Sequence, residues 1–355
     1  MKVIIFIPNL DFGGVASYVL RCKEMFSNTK YEANVVCFNN QRNSENVIEL
    51  EGNGLKQQIQ VLRKFLKKEK VKVIITSVDI APVIVKIASL FLGIKIISVF
   101  HMRPELYKIK SSNKIKSFIL NKIMISGFLI SDKIIAVSKG LENEINQIYP
   151  FLKKKTVCIY NPIINQVQQE ELIFKDVENK EVINILNVGW IYDLKNQIEI
   201  LKAIKDIKKQ FRVNFIGGIK DELYYKELKR YIEEYNLNEV VNFTGEVSNP
   251  EEYFKNADIY ISTSKAEALP TVLIEALDNN LPIIAKDCKY GPREILCDEK
   301  YGLLYEGNEI ELKNKILEMI DNKKYNKFRK ESYERAKNFS FDKILKEYTK
   351  IIDII

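Results

Sequence analysis

The sequence contains no long hydrophobic run, because no stretch of about 18 or more uncharged apolar residues occurs in the chain. A membrane-spanning helix is therefore not predicted. The apolar segment Val3–Ile7 is short and leads into Pro8 and a glycine turn, without a small-residue cleavage site. We interpret this segment as a buried strand and not as a signal peptide, and we expect a cytoplasmic protein.

Cysteine and histidine are scarce. The five cysteines are odd in number and widely spaced, with no Cys-x-x-Cys pair, and His101 is the single histidine. These counts argue against a disulfide framework and a zinc site, and they favour reduced, buried thiols. The first glycine loop lacks the G-x-G-x-x-G pattern, which argues against a dehydrogenase. No metal and no cofactor are expected.

The charge is divided unequally between the two halves of the chain. Residues 1–165 contain 25 Lys+Arg and 12 Asp+Glu, a net charge of +13, whereas residues 166–355 contain 30 and 35, a net charge of −5. This asymmetry indicates an anionic partner for the first half, and an anionic membrane face is one candidate. The alternative is that lysine simply decorates a solvated surface. No basic motif is interleaved with aromatic residues, so nucleic acid is not expected as a partner.

Short β-branched runs alternate with amphipathic stretches along the chain. The predicted strands are Val3–Ile7, Ala33–Phe38, Val71–Thr76, Lys95–Val99, Lys133–Val137, Thr156–Tyr160, Val182–Val188, Arg212–Ile216, Val240–Thr244, Asp258–Ser262 and Pro282–Ala285. The predicted helices are Gly14–Phe26, Leu55–Lys70, Ile80–Leu92, Lys114–Ile130, Lys139–Tyr149, Asn196–Lys209, Asp221–Asn236, Pro250–Lys255 and Thr271–Asn279. Two such series predict an α/β protein of two doubly wound, Rossmann-like domains, each of which binds ligands at the carboxyl ends of its strands.

The domain boundary is predicted within Asn161–Lys180, which opens with an Asn-Pro pair and becomes polar and acidic. We therefore assign residues 1–162 to the first domain and residues 163–339 to the second. The tail is predicted to be helical from Ile310, with breaks near Asn322 and near residues 338–341. Residues 342–355 carry an apolar stripe at helical spacing, which predicts a final helix over 340–355 that crosses back to the first domain.

The segment Ser262–Leu277 follows a predicted buried strand and carries the most chemical information. Pro270 suits the first turn of a helix, and the free backbone N–H groups after it form a site for an anion such as phosphate. Glu267 and Glu275 flank that site. Carboxylates repel phosphate, so hydroxyl groups such as a ribose diol and a sugar are their natural partners. The alternative is an ordinary helix with a surface glutamate.

The spacing of Glu267 and Glu275 resembles the E-x7-E signature of retaining glycosyltransferase family 4, which has the GT-B fold. Further segments resemble motifs of this family in the same order along the chain. They are Asn9–Gly14, Ser131–Ser138, Tyr160–Ile163, Asn187–Asn196, Phe243–Glu246 and Tyr290–Ile295. A lone E-x7-E pattern is weak, but six ordered matches over nearly the whole chain are strong.

The resemblance implies two domains that face each other across a cleft, the first on the acceptor side and the second binding the nucleotide sugar. It implies that Lys195 neutralises the diphosphate, that Glu275 holds the ribose and that Glu267 holds sugar hydroxyls. The implied catalytic residues are His101, Glu267 and Lys195. The implied donor-binding residues are Gly13, Gly14, Gly189, Lys195, Leu269, Pro270, Thr271, Glu275 and Arg293. For Lys195 the alternative is a solvated lysine at a helix start.

The sequence departs from the family pattern at two positions. Trp190 stands where the family commonly has an arginine, so one phosphate-binding cation is missing. Arg293 would replace that cation, or else it is an exposed arginine in a turn. Ala268 stands where the family usually has glycine, which would be strained if the position requires a positive φ.

His101 and Arg103 follow the predicted strand Lys95–Val99 at its carboxyl end, where active residues of such domains lie. In the resembling family, a histidine at this place reaches the donor sugar. We assign Arg103 to an anionic acceptor, and the alternative is a surface arginine.

The resemblance implies transfer with retention and without a covalent intermediate, in which a donor phosphate oxygen takes the acceptor proton. The sequence has no D-x-D tract that would hold a divalent metal. We therefore predict a metal-independent hexosyltransferase, with a nucleotide diphosphate sugar as donor, UDP as the nucleotide, and a lipid-linked or other cell-surface glycan as acceptor.

Basic helices with apolar faces predict peripheral docking on the anionic inner face of the cell membrane. One set, Lys108, Lys110, Lys114, Lys116 and Lys122, clusters around the apolar helix Ile115–Ile130, and a second set, Lys64, Lys67, Lys68 and Lys70, lies on another helix. A plain core-facing helix with a solvated basic face is the alternative. Other functions also stay open: an epimerase or phosphorylase of the same fold, and a non-catalytic, donor-binding partner subunit.

Overall fold

The computed structural model describes residues 1–11, 13–27, 29–77, 80–102, 122–123, 125–166, 173–247 and 249–355. The chain divides into two compact units. The first unit comprises Met1–Asn165 together with Phe339–Ile355, and the second comprises Gln166–Asn338.

The first unit contains a parallel sheet of seven strands in the order β3-β2-β1-β4-β5-β6-β7 among its described residues. Its strands are β1 (Lys2–Phe6), β2 (Glu32–Cys37), β3 (Val47–Glu49), β4 (Val73–Ser77), β5 (Lys95–Phe100), β6 (Lys133–Ala136) and β7 (Thr156–Cys158). β1 lies near the centre, and the strand order reverses there, which is where doubly wound folds bind ligands.

The second unit repeats this arrangement with six parallel strands in the order β10-β9-β8-β11-β12-β13. Its strands are β8 (Val182–Val188), β9 (Gln210–Ile216), β10 (Val241–Gly245), β11 (Ile259–Ser262), β12 (Ile283–Lys286) and β13 (Leu303–Tyr305). The reversal of order falls between β8 and β11, so the loops after these two strands lie side by side at the carboxyl end of the sheet.

Helices connect most consecutive strands, as is usual for parallel pairing, whereas a loop joins β2 to β3. The α-helices whose bounds are described are Gly14–Met25, Gly54–Lys68, Ala81–Ala88, Lys139–Ile148, Ile198–Ile204, Glu222–Glu234, Glu251–Asn256, Thr271–Asp278, Pro292–Leu296, Glu309–Met319, Asn322–Ala336 and Phe341–Ile354. Side-chain caps mark several of their starts; the Asp221 carboxylate, for example, accepts hydrogen bonds from the backbone N–H groups of Leu223 and Tyr224. In the part of the chain that is described, no helix is both long and apolar enough to cross a bilayer.

The predicted α/β class with two doubly wound domains is confirmed. The final helix, Phe341–Ile354, belongs to the first unit, and its Tyr348 is buried there. β3, β13 and the helix Pro292–Leu296 were not predicted, because three to five residues are too few to show a periodicity. The predicted helix over 114–130 is confirmed at residues 122–123 and 125–130, which are helical, and its other residues lie outside the described ones.

One helix of the second unit is shorter than the prediction Asn196–Lys209, since it spans Ile198–Ile204. Asn196 has a left-handed backbone with φ of 54°, so it ends the short 3-10 turn Asp193–Lys195 and cannot belong to a regular helix. This bend shapes the loop that carries Lys195.

Candidate active site

Two loops at the carboxyl ends of β8 and β11 form the candidate site of the second unit. Residues 189–195 follow β8, and residues 263–270 follow β11. The Thr263 hydroxyl donates a hydrogen bond of 2.8 Å to the backbone carbonyl of Lys195, and the backbone N–H of Lys265 donates one of 2.8 Å to Leu194. These bonds hold the two loops together, so residues far apart in sequence share one surface.

Lys195 and Glu267 form an ion pair across these loops. The Lys195 Nζ lies 2.6 Å from the Glu267 Oε1, and the two side chains are 22% and 16% exposed. Burial alone would lower the pKa of Lys195, but the charge and the hydrogen bond of Glu267 outweigh it and raise that pKa. Lys195 is therefore a cation at neutral pH, and the ion pair with Glu267 holds its ammonium group in place.

Three glycines allow the loop after β8 to take its path. Gly189 has φ of 151°, and the Lys195 Cε would lie 3.3 Å from a Cβ placed on Gly189. A Cβ on Gly217 would overlap with the Gly189 carbonyl oxygen, and a Cβ on Gly218 would lie 2.7 Å from the Trp190 ring. Gly217 and Gly218 were not among the predicted site residues. The sequence feature that could have identified them is a glycine pair directly after a buried strand.

The helix Thr271–Asp278 follows the second loop, and its first turn has neither a side-chain cap nor an acidic residue. The helix begins at Thr271 as predicted, and Pro270 lies at its N-cap, where its carbonyl accepts a 3.0 Å hydrogen bond from Leu273. Leu269 and Pro270 are both buried. A Cβ on Gly291, which has φ of 89°, would overlap with the Pro270 ring, so the loop after β12 packs directly against the helix start.

Both glutamates of the E-x7-E pattern act electrostatically on Tyr260 of β11. Its side chain is 2% exposed, and burial raises the pKa of its hydroxyl, as do the charges of Glu267 and Glu275. Glu267 lies in the loop after β11, and Glu275 lies just over one turn into the helix Thr271–Asp278 that follows this loop. The pKa of Asp278 is also raised, to about 6, by burial and by the charges of Glu275 and Glu251.

Arg293 lies among carboxylates. Its Nε donates a 2.8 Å hydrogen bond to Asp287, and its other nitrogens form ion pairs of 3.2 Å with Asp298 and 3.1 Å with Glu306. Its side chain is 51% exposed. The predicted contact of Arg293 with a diphosphate would have to compete with these three partners, and it stays a prediction.

Two departures from the family pattern have different consequences in the structure. Ala268 does not have a positive φ, so alanine carries no backbone strain there. Trp190 lies against Gly218 and offers an indole where the resemblance led us to expect a guanidinium. Lys195 is thus the basic residue of the loop formed by residues 189–195.

Gly13 and Gly14 lie in the first unit, at the carboxyl end of β1 and the start of the helix Gly14–Met25. Gly13 has φ of 139°, and no atom lies within 4 Å of a Cβ placed on either glycine. The first turn of this helix has no side-chain cap and no acidic residue. Among the described residues, the surroundings of these two glycines are therefore open, and an uncapped helix start is a kind of site that binds anions.

His101 directly follows β5 at its carboxyl end, and its ring contacts the ring of Tyr18, with centroids 4.4 Å apart. Burial lowers the pKa of His101 to about 3, so the imidazole is neutral at physiological pH. It is suited to hydrogen bonding and not to charge stabilisation. Arg103, the predicted acceptor residue, lies outside the described residues.

Residues 12–166 match the family model for "Glycosyltransferase Family 4", and residues 168–339 match that for "Glycosyl transferases group 1". Together these two models cover nearly all of both units. The chain belongs to the GT-B glycosyltransferases of the family 4 type, as the order of its motifs predicted.

The chain is similar in sequence to two curated glycosyltransferases. The N-acetylgalactosamine-N,N'-diacetylbacillosaminyl-diphospho-undecaprenol 4-alpha-N-acetylgalactosaminyltransferase of Campylobacter jejuni is 30% identical over 64% of this chain and 64% of its own length. The capsular polysaccharide biosynthesis glycosyltransferase CapH of Staphylococcus aureus is 26% identical over 81% of this chain and 82% of its own length. For three of the relatives that the chain matches, the shared part is 64% to 66% of the relative's length.

The fold also matches a solved structure. HepE of Anabaena, crystallised in complex with UDP and glucose, superposes with a TM-score of 0.82 at 18% identity, over the whole of both chains. This likeness supports the fold.

Proposed function

We propose that this protein is a retaining glycosyltransferase, which moves a hexose or an N-acetylhexosamine from a UDP-sugar to a lipid-linked or other cell-surface glycan. The observation that carries the proposal is the half-buried Lys195–Glu267 ion pair in the two loops that precede the helices Ile198–Ile204 and Thr271–Asp278. A cation, a helix start without a side-chain cap and two carboxylates follow the neighbouring strands β8 and β11, which supports this proposal. Their charges suit a diphosphate flanked by two sets of hydroxyls.

In the proposed reaction, Lys195 stabilises the charge that grows on the leaving diphosphate. Glu267 binds sugar hydroxyls and keeps Lys195 in place, and Glu275 binds the ribose. The neutral imidazole of His101 forms a hydrogen bond with the sugar at the reacting centre. The bond between the anomeric carbon and the phosphate oxygen breaks while the acceptor hydroxyl attacks from the same face, and its proton passes to that phosphate oxygen. No dedicated protein base and no metal are needed in this scheme.

The relatives support the choice of donor and acceptor. The Campylobacter enzyme is named for an undecaprenyl diphosphate-linked acceptor and an N-acetylhexosamine, CapH is named for capsular polysaccharide, and HepE was crystallised with UDP and glucose. We therefore propose a UDP-linked donor and a glycan acceptor for this chain as well.

The proposal predicts that purified protein releases UDP from one member of a panel of UDP-hexoses and UDP-N-acetylhexosamines only when a polyprenyl diphosphate-linked glycan is present. Release without an acceptor would indicate hydrolysis, and conversion of the donor sugar alone would indicate an epimerase. Proton NMR of the product should show the anomeric configuration of the donor. An inverted product would contradict the retaining mechanism, and the absence of transfer with every donor would contradict the function.

A non-catalytic, donor-binding subunit is the second candidate, and Trp190 is the observation that favours it. With an indole in the place of the expected arginine, Lys195 carries the diphosphate charge for this loop. A thermal-shift titration with UDP-sugars separates the two candidates, because a ligand that binds the folded state raises the Tm. A raised Tm without turnover, and turnover only after a partner transferase is added, would favour the subunit.

We also propose that the first unit docks on an anionic membrane. In the helix Gly54–Lys68, Leu62 and Leu66 are buried in the core, whereas Lys64, Lys67 and Lys68 are exposed. The basic face of this helix is therefore available to anionic lipid. Lys108, Lys110, Lys114 and Lys116 lie outside the described residues. Flotation with vesicles that contain anionic lipid should recover the protein at low salt but not at high salt, and flotation with neutral vesicles should not. No recovery at low salt would contradict the docking.

Gly14→Ala is expected to reduce transfer at least about tenfold without loss of stability. Gly14 is the first helical residue, its φ is not positive, and an added Cβ meets no protein atom within 4 Å. A methyl group would, however, occupy the space into which the donor or the acceptor approaches. Initial rates and thermal unfolding of the same preparation test this. Full activity in the variant would remove the glycine loop from the site.

A further inference from the structure

The first unit contains a buried tyrosine pair that the proposed reaction does not use. Tyr18 lies in the helix Gly14–Met25, and Tyr348 lies in the final helix, Phe341–Ile354. Their hydroxyl oxygens are 2.6 Å apart, and the residues are 3% and 0% exposed. Cys22 lies beside both hydroxyls. Because buried hydroxyls must be hydrogen-bonded, this pair fixes where the ring of Tyr18 lies.

The ring of Tyr18 in turn supports His101. The two rings meet edge to face, with centroids 4.4 Å apart and an interplanar angle of 61°, which is a favourable arrangement for aromatic rings. Tyr18 lies four residues after Gly14, so it is on the first turns of the helix whose start faces open space. The same helix therefore presents the glycine loop and supports the imidazole.

The final helix is also held at its far end. The Tyr31 hydroxyl donates a 2.6 Å hydrogen bond to Asp353, and Lys30 forms a 3.0 Å ion pair with the same carboxylate. These contacts attach the helix to the first unit without touching His101, as far as the described residues show. They provide a control for the Tyr348 contact, because they hold the same helix at a different residue.

We propose that Tyr18 and Tyr348 are positioning residues for His101: the hydrogen bond between their hydroxyls holds the Tyr18 ring in the orientation against which the imidazole is aligned for sugar transfer. The final helix thereby contributes to the active site from a distance of 330 residues in the sequence. The proposal rests on the proposed function, in which His101 contacts the sugar.

Because the chain has a single histidine, NMR of protein labelled with ¹³C in the histidine ring yields one unambiguous signal. Tyr18→Leu removes the ring beside the imidazole, and Tyr348→Phe removes only one hydroxyl. Both variants should shift or broaden the His101 signal. The kcat should fall about 10- to 100-fold in Tyr18→Leu and by a smaller factor in Tyr348→Phe, with the KM for the donor unchanged.

Tyr31→Phe is the control, because it removes the other tyrosine hydroxyl that holds the final helix. It should leave the His101 signal and the kcat as in the wild type. An unmoved signal in Tyr18→Leu, or equal changes in Tyr31→Phe and Tyr348→Phe, would overturn the proposal. A wild type that transfers no sugar contradicts the proposed function, whereas an active wild type with an equally active Tyr18→Leu variant contradicts this proposal.

Discussion

Lys195→Met is expected to reduce kcat/KM for sugar transfer by about a thousandfold or more. The Lys195 ammonium lies 2.6 Å from Glu267 and is held cationic by it. Methionine fills a similar volume but has no charge to offer the diphosphate as it leaves. A thousandfold loss corresponds to about 4 kcal/mol of transition-state stabilisation, which is reasonable for one cation in a site that is largely shielded from water.

The loss could also arise because Glu267 is left buried without a partner, which destabilises a protein. A double variant, Lys195→Met with Glu267→Gln, separates the two causes because it removes both charges. We expect Lys195→Met to unfold at a lower temperature than the wild type, and the double variant to regain most of that stability while it stays inactive. Transfer restored together with stability would show that the ion pair serves only the fold.

Lys265→Ala is the matched control. Lys265 forms a 2.5 Å ion pair with Asp193 across the same two loops, but the two side chains are 43% and 67% exposed. Exposed pairs contribute little, so the variant should lose less than about 1 kcal/mol of stability and should keep its transfer rate. An inactive Lys265→Ala variant would mean that any change in these loops abolishes activity, and the argument for Lys195 would fail.

The residues that could be predicted from the sequence are those whose local pattern carries a physical reason. β-branched runs between amphipathic stretches predicted both sheets, and the bounds of β8 agree with the prediction. Lys195 and Glu267 were predicted as members of one site from the resemblance to family 4; in the structure each follows a strand, and the carboxyl ends of parallel strands meet at one edge. The structure brings them together across 72 residues.

Contacts that depend on a partner elsewhere in the chain could not be predicted. Nothing near Tyr18 in the sequence indicates Tyr348, and nothing in the Gly-Pro-Arg turn indicates that Asp298 and Glu306 surround Arg293. In each case the missing information is tertiary packing.

Gly217→Ala is expected to destabilise the second unit by about 3 kcal/mol or more, which corresponds to a Tm lower by roughly 6–12 °C. Gly217 has φ of 142°, a conformation that alanine rarely adopts, and an added Cβ would overlap with the carbonyl oxygen of Gly189. The loop after β8 would have to move away, and Lys195, whose side chain crosses Gly189, would move with it. Donor binding should therefore weaken together with stability.

Gly245→Ala is the control that separates the effect of the steric overlap at Gly217 from the effect of backbone strain. Gly245 ends the neighbouring strand β10 with φ of 72°, but a Cβ placed there meets no atom within 4 Å. This variant should lose only the roughly 1–2 kcal/mol of a left-handed alanine and should keep the Lys195 loop in place. Thermal unfolding and UDP titration of the two variants measure the difference. If both lose the same stability and affinity, the contact between Gly217 and Gly189 does not position Lys195.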